Sequence, residues 1–314
     1  MRKSVTATAP CSTANLGPGF DVFGLALDAY HDRVTVSRGP SNAAKVTVAM
    51  LGDNGSIPAS PELNSAGRVV TKMASDFGIV DPVTVRVRKG VPAGFGVGSS
   101  AASAAAAALA FKNLYGLKLG MDDLVEFAAE GEVASAGTKH YDNVSASLLG
   151  GFVISSVRGD RRTFIRLKPP RDLVLVVAIP LSMKVPEKKT EAARAVLPDV
   201  VSLKQVVHNV SAASTIVAGF ALKDVNIIAS GIDDAIVEPA RAQLVPGYDA
   251  VKRNAINAGA LAVTISGAGP SLIAFMKKGR NVRQVASAMN AGFASAGIQS
   301  KARLCNPSSG ARIV

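Results

Sequence analysis

The sequence has no tryptophan, two cysteines and only 5% aromatic residues, and it holds no long uninterrupted apolar run. Each shortage excludes something. Cys11 and Cys305 do not make a disulfide framework and fit a reducing compartment, although one pairing between the chain ends stays open. Without tryptophan, and with no basic stretch interleaved with aromatics, the stacking platform of a nucleic-acid binder is missing. The longest apolar run, Ala101–Phe111 broken by Ser103, is too short to span a bilayer and too rich in alanine to anchor one. No apolar segment of signal-peptide length follows the basic pair near the start. The expectation is a soluble cytoplasmic protein with neither a membrane nor a nucleic-acid partner.

What is present is a long apolar chain with a positive balance: 314 residues, 48% hydrophobic, formal net charge +12. That length allows two domains, or one large one, with a sizeable core. The basic residues are scattered. A field steering small anions would account for them, and a solvated surface accounts for them better.

One stretch carries chemistry, Pro92-Ala93-Gly94-Phe95-Gly96-Val97-Gly98-Ser99-Ser100-Ala101-Ala102-Ser103. Glycines at alternate positions permit positive φ and close approach of backbone to a ligand. Ser99 or Ser100 is a natural N-cap for the alanine-rich helix that follows, from Ala101 to about Tyr115. A helix N-terminus behind such a loop suits phosphate, and a glycine turn before a core helix reads equally well from the glycines alone. No lysine follows them, so the P-loop pattern fails. Gly96-x-Gly98-x-x-Ala101 matches the alanine form of the dinucleotide fingerprint. That motif needs a strand running straight into its first glycine, whereas Val83–Arg88 ends well before it. A dinucleotide-binding oxidoreductase is therefore the runner-up from another class.

Along the chain, Val5–Ala14, Val22–Leu27, Asp32–Ser37 and Lys45–Met50 read as an antiparallel meander. A helix starts at Ser60-Pro61-Glu62 and stops at Gly78. Another runs from Asp122-Asp123 to Gly137, with Glu126 and Glu130 on one face and Glu132 turned away. Lys139–Asn143 leads through a tight turn at Gly150 into a strand. The charged turn Arg158–Arg162 marks the expected division into domains 1–158 and 159–314. Strands follow at Thr163–Leu167 and Leu173–Ile179, and helices near Glu187–Val196, at Ser202–Leu222 and from Tyr248. Strand Ala260–Ser266 leads to a second glycine loop, Ser266–Ser271, then strand Leu272–Met276 and helix Val282–Ala296. Mixed elements in this order predict α+β architecture in each half.

Three separated segments, Pro10–Asp21, Pro92–Ser103 and Ser266–Ser271, resemble the motifs of the GHMP small-molecule kinases. Further motifs, His140-Tyr-Asp-Asn-Val144, Thr190–Pro198 and Arg241–Gly247, are most similar to the branch acting on homoserine. The likeness covers nearly the whole chain and keeps the motif order. It implies an N-terminal domain like the second domain of ribosomal protein S5, a C-terminal ferredoxin-like domain and, by the family's habit, a homodimer. It also implies ATP on Pro92–Ala102 and Mg²⁺ held by Ser100 and Glu130, although Ser99 and Ser100 could exchange roles. L-homoserine would be enclosed by Asn15, Asp21, His140, Asn143, Arg194, Arg241 and Gly267, for phosphorylation on its side-chain hydroxyl in threonine biosynthesis. Two arginines suit a carboxylate, and Asp21 with Asn15 suits an ammonium. Mevalonate, the substrate of a sister enzyme, has no ammonium for that pair. Asn143 stands where many relatives carry an aspartate base. An amide orients without deprotonating, which phosphoryl transfer tolerates, and Asp142 is the alternative base. Phe95, Val97 and Lys139 depart from the family pattern, and Phe95 would stand as a bulky group beside the nucleotide.

Overall fold

The structure is a computed structural model that describes residues 2–40, 45–53, 55–158, 161–186, 189–279 and 281–314. It opens with two long strands, β1 (Ser4–Asn15) and β2 (Gly19–Arg38), paired antiparallel along their length. The register slips after Pro10, which has no N–H for the ladder, so the ribbon bends there. Beyond the bend β2 changes its outer neighbour. Phe23–Leu25 pair with β5 (Phe152–Arg158), and Arg33–Arg38 pair with β4 (Val83–Arg88).

The expected meander stops after two strands. β3 (Val46–Leu51) is parallel to β4 and does not touch β2, giving the order β11-β1-β2-β4-β3. The cause is the helix between them, α1 (Ser65–Asp76), since a helical crossover returns the chain parallel. Its start also differs from the expected Ser60–Glu62. The cap is Asn64, whose side chain accepts from the N–H groups of Ala66 and Gly67. Helices α2 (Ser99–Tyr115), α3 (Met121–Ala136) and α4 (Asp142–Leu149) complete the layer over the sheet. α2 lies innermost, with Ala101–Ala108 buried, because alanine lets a helix sit close to the sheet and to three neighbouring helices. α4 occupies a tract for which the sequence predicts a turn into a strand and no helix.

β6 (Arg161–Leu167) forms a hairpin with β5, in register from Phe152↔Leu167 to Arg158↔Arg161. The division expected after Arg158 thus falls at the tip of one hairpin, where residues 159–160 lie outside the described residues. Sheet membership changes between Leu167 and Leu173. There β7 (Leu173–Ile179) starts a second, antiparallel sheet with β8 (Ala262–Ile265), β9 (Leu272–Lys277) and β10 (Lys301–Cys305), in the order β10-β7-β9-β8.

Counted from β7, that order is 4-1-3-2 with helices after the first and third strands, the split βαβ arrangement. Between β7 and β8 run α5 (Lys189–Ala195), α6 (Leu203–Leu222), α7 (Val225–Ser230), α8 (Val237–Ala242) and α9 (Tyr248–Asn257). α10 (Val282–Ala294) joins β9 to β10. Residues before Lys189 in the expected Glu187–Val196 helix include 187–188, outside the described residues. β7 is buried throughout and serves both cores. Leu173, Leu175, Val177 and Ile179 face the first, while Val176 and Ala178 face α9 and α10. Cys305 ends β10 and Cys11 sits in β1; both are buried free thiols. After Cys305 the chain returns to the first sheet, where β11 (Arg312–Ile313) pairs with β1.

Candidate active site

The glycine loop starts from an anchored base. The fully buried Asp32 carboxylate accepts from the N–H groups of Gly90 (2.9 Å) and Val91 (3.0 Å), from Ser103 Oγ (2.6 Å) and from Lys89 Nζ. Lys89 also donates to Ser99 O and Ser103 Oγ, so its three donors are all engaged. Gly94, Gly96 and Gly98 then take left-handed φ of 85°, 75° and 67°. The residues between them turn inward. Phe95 packs against the core and Val97 is buried in it, so the bulk of Phe95 does not stand in the cleft. Ala101 and Ala102 are likewise buried below the loop, and Pro92 does not line the cleft.

The two glycine loops dock on each other. Ser266 Oγ donates to Gly96 O (2.8 Å), and Ser271 N to Phe95 O (3.3 Å). The expected serine cap is absent. The N-cap is Gly98, which contributes no side chain, and Ser99 Oγ donates away to Val91 O (2.9 Å). The N–H groups opening α2 are therefore left without a side-chain cap where the helix meets the cleft, the arrangement that binds anions.

A cleft of about 510 Å³ separates the two halves here, with Ala93, Gly94, Gly96, Gly98, Ser99 and Ser100 on its wall. Glu130 is not part of it. Its carboxylate pairs with Lys139 Nζ at 2.6 Å, away from the cleft. The carboxylate on this wall of the cleft is Glu132, which accepts a hydrogen bond from Ser100. Burial pushes Glu132 up to about 7, opposed by Ser100, Lys189 and Lys89. The carboxylate that fits the role expected of Glu130 thus stands two residues further along the helix. The signal was present in the sequence, since Leu124, Val125, Ala128 and Ala129 form a buried stripe that Glu132 continues. A hydroxyl and a carboxylate side by side are hard-oxygen donors that fit magnesium. Among the described residues no cluster of three or more histidine, cysteine or acidic side chains could hold a metal alone. Nucleotide and water oxygens would have to complete the shell.

The other end of the cleft gathers the residues expected to enclose an amino acid. Asn15 is buried, with Nδ2 on Gly267 O (2.9 Å) and Oδ1 accepting from Asp21 N (3.1 Å). It shapes the turn that presents Asp21. Arg194 crosses from α5 to bind both Asp21 oxygens (2.9 and 2.6 Å). It also donates to His140 Nδ1 (3.1 Å), which leaves the imidazole proton on Nε2, near Thr138 Oγ1. Burial and Arg194 together push His140 below its ordinary pKa. Arg241 is buried and donates to Ala193 O (3.0 Å) and Gly267 O (3.2 Å). Phe20, not anticipated from the sequence, lies 5.2 Å from the Arg194 guanidinium and 5.0 Å from that of Arg241.

Between the two ends stands Asn143. Its Oδ1 accepts from Ser12 Oγ (2.9 Å), while Nδ2 faces Asp142 Oδ1 (3.4 Å). The carboxylate only accepts, so the amide N–H₂ is fixed on that side. Ser12 lies within the Pro10–Asp21 motif, but nothing in the sequence singles it out as a site residue. It is buried under Gly98, where an added Cβ would lie 2.1 Å from Ser12 Oγ. Asp142 is buried, and burial with Asp21 raises its carboxyl to about 6.

Comparisons with known proteins agree with this architecture. The family model described as GHMP kinases N terminal domain matches residues 64–151, and GHMP kinases C terminal matches residues 216–295. The chain belongs to the GHMP kinases. It is 38% identical to a homoserine kinase of Thermoplasma volcanium over 99% of this chain and 96% of that one. It is 42% identical to a homoserine kinase of Methanopyrus kandleri over 86% and 87%. The crystal structure of homoserine kinase from Cytophaga hutchinsonii superposes with a TM-score of 0.91 at 34% identity, covering 100% and 98% of the two chains.

Proposed function

We propose that this GHMP kinase transfers the γ-phosphoryl group of ATP to the side-chain hydroxyl of L-homoserine, giving O-phospho-L-homoserine for threonine biosynthesis. One observation carries the reading: an uncapped helix N-terminus faces the same cleft as a carboxylate and two guanidinium groups. The Asp21–Arg194 pair is 42% and 37% exposed, so it contributes little to stability. A zwitterion inserted there exchanges one weak ion pair for two, its ammonium on Asp21 and its carboxylate on Arg194 and Arg241. Mevalonate would leave Asp21 unmatched. The relatives named above are homoserine kinases, which supports the choice.

Each group then has a task. The α2 N–H groups and the loop backbone hold the phosphates. Ser100 and Glu132 would hold Mg²⁺, which supplies charge neutralisation on the phosphate oxygens. Asn143 Nδ2, its polarity set by Ser12 and Asp142, orients the attacking hydroxyl. No amide removes a proton at neutral pH, so the hydroxyl proton leaves late, to the transferred phosphoryl group. Positioning and charge stabilisation dominate such a loose transition state.

We place the protein in the cytoplasm as a homodimer. α6 is long and apolar enough to span a membrane by length and composition. Its Ser202–Gln205 capping box, and Asn209 bound to Asp234, mark it as a surface helix. The exposed Leu203, Val207 and Val210 suit a second copy. The domain division lies between the two sheets, after Leu167.

An ADP-release assay over homoserine, mevalonate, shikimate and galactose tests the substrate. Homoserine should give the highest kcat/KM by orders of magnitude, and turnover of any other acceptor in its place would overturn the reading.

A further inference from the structure

Two lysines line the cleft, and they differ in what they are free to do. Lys89 is fully engaged by Asp32, Ser99 O and Ser103. Lys189 opens α5 and reaches across from the second half of the chain. Among the described residues its hydrogen-bond partner is a single backbone carbonyl, Gly269 O, at 2.6 Å. Two of its three N–H donors are thus left for a ligand.

The position of that carbonyl fixes where the ammonium sits. A Cβ built on Gly96 would lie 2.4 Å from Gly269 O. The Lys189 ammonium is therefore one carbonyl oxygen from the middle of the phosphate loop. Glu132, placed by Ser100 at the start of α2, is close enough to act on it electrostatically. Two residues back from Gly269 along the same glycine loop, Gly267 O accepts from Arg241, which with Arg194 lines the amino-acid end. Lys189 thus stands where the terminal phosphate of a nucleotide on the loop would meet the acceptor hydroxyl. Burial and Arg241 lower it to about 8, with Glu132 opposing.

We propose that Lys189 is a catalytic residue that contacts the terminal phosphoryl group of ATP and stabilises its charge during transfer. This rests on the kinase reading above and adds to it a residue outside the glycine loops. In the step, a bond forms from the homoserine side-chain oxygen to the γ-phosphorus, and the bond from that phosphorus to the β,γ-bridging oxygen breaks. The electron pair leaves with ADP, the hydroxyl proton passes to the transferred phosphoryl group, and Lys189 stays protonated throughout. A preorganised donor aimed at developing charge is typically worth about 10²–10³-fold in kcat. A lysine that merely tethers α5 to the second glycine loop would carry no such effect.

The test compares wild type with Lys189→Met, which keeps the apolar stem, and with Lys189→Gln, for the case that the first variant does not fold. In whichever variant folds, kcat should fall by about 10²–10³-fold while KM for homoserine stays within about threefold. Titration with ADP and with a non-hydrolysable ATP analogue gives a second readout. Wild type should prefer the analogue by about tenfold or more, one charge-assisted contact, and the variant should lose that preference with ADP affinity unchanged. Retained kcat, or equal loss of affinity for both nucleotides, would overturn the assignment. If homoserine is not the acceptor but the analogue preference still depends on Lys189, the substrate reading fails and the lysine assignment stands.

Discussion

Ser100, in the first turn of α2, hydrogen-bonds to Glu132 in the last third of α3, at the wall of the cleft. α3 crosses α2 closely because residue 131 is glycine. A Cβ there would lie 2.6 Å from Ala104 Cβ. That approach aims Glu132 at the glycine loop and leaves Glu130 to Lys139, away from the cleft.

Glu132→Gln should therefore lower turnover by orders of magnitude with the fold retained. Glu130→Gln should stay within about threefold of wild type, since Glu130 pairs with Lys139 and does not line the cleft. A magnesium titration of both variants checks this. Equal activity of the two would remove Glu132 from the metal site.

Asp142 gives a stability prediction with a definite sign. Its folded value, about 6, lies above the ordinary 3.8, so the folded state holds the proton more firmly. Stability from this group is present below 3.8 and is lost as pH rises through about 6. The loss is at most about 3 kcal/mol. Asp142→Asn should accordingly melt higher than wild type at pH 7.5 and equally at pH 3.5. The same variant should keep substantial activity, because Asn143 is oriented and no base is required. Collapse of turnover with normal homoserine binding would make Asp142 the base.

Arg241→Lys keeps a charge but loses the planar fork that reaches Ala193 O and Gly267 O. KM for homoserine should rise about 10- to 100-fold, the worth of a charge-assisted hydrogen bond, with KM for ATP nearly unchanged. 3-Amino-1-propanol, which lacks the carboxylate, should be a poor substrate and indifferent to the change. A rise in KM for ATP instead would move Arg241 to the nucleotide end.

Gly96→Ala tests the docking of the two loops. The new methyl would meet the carbonyls of Gly269 and Ser266 at 2.4 Å, with φ at +75°. Left-handed φ alone costs roughly 1–2 kcal/mol, and the clash adds to it. Thermal melts should show a lower Tm, and nucleotide titration should show ATP affinity reduced at least tenfold. An unchanged Tm with unchanged affinity would mean the loops move apart freely.

The sequence by itself determined what is local. Alternating glycines, a serine pair and an alanine helix within one contiguous stretch dictate left-handed turns and a helix start, and both are there. Continuous apolar runs such as Leu173–Ile179 dictate buried strands for the same reason. Tertiary structure decided what depends on which face meets which neighbour. Helical spacing correctly separated Glu126 and Glu130 from Glu132, but only the packing of α3 on α2 shows which face meets the cleft. Spacing likewise cannot reveal that α1 makes β3 parallel to β4, that Ser12 underlies Gly98, or that Lys189 crosses to the loop. Those relations join residues as far apart as Ser12 and Gly98, and backbone propensity carries no information over such distances.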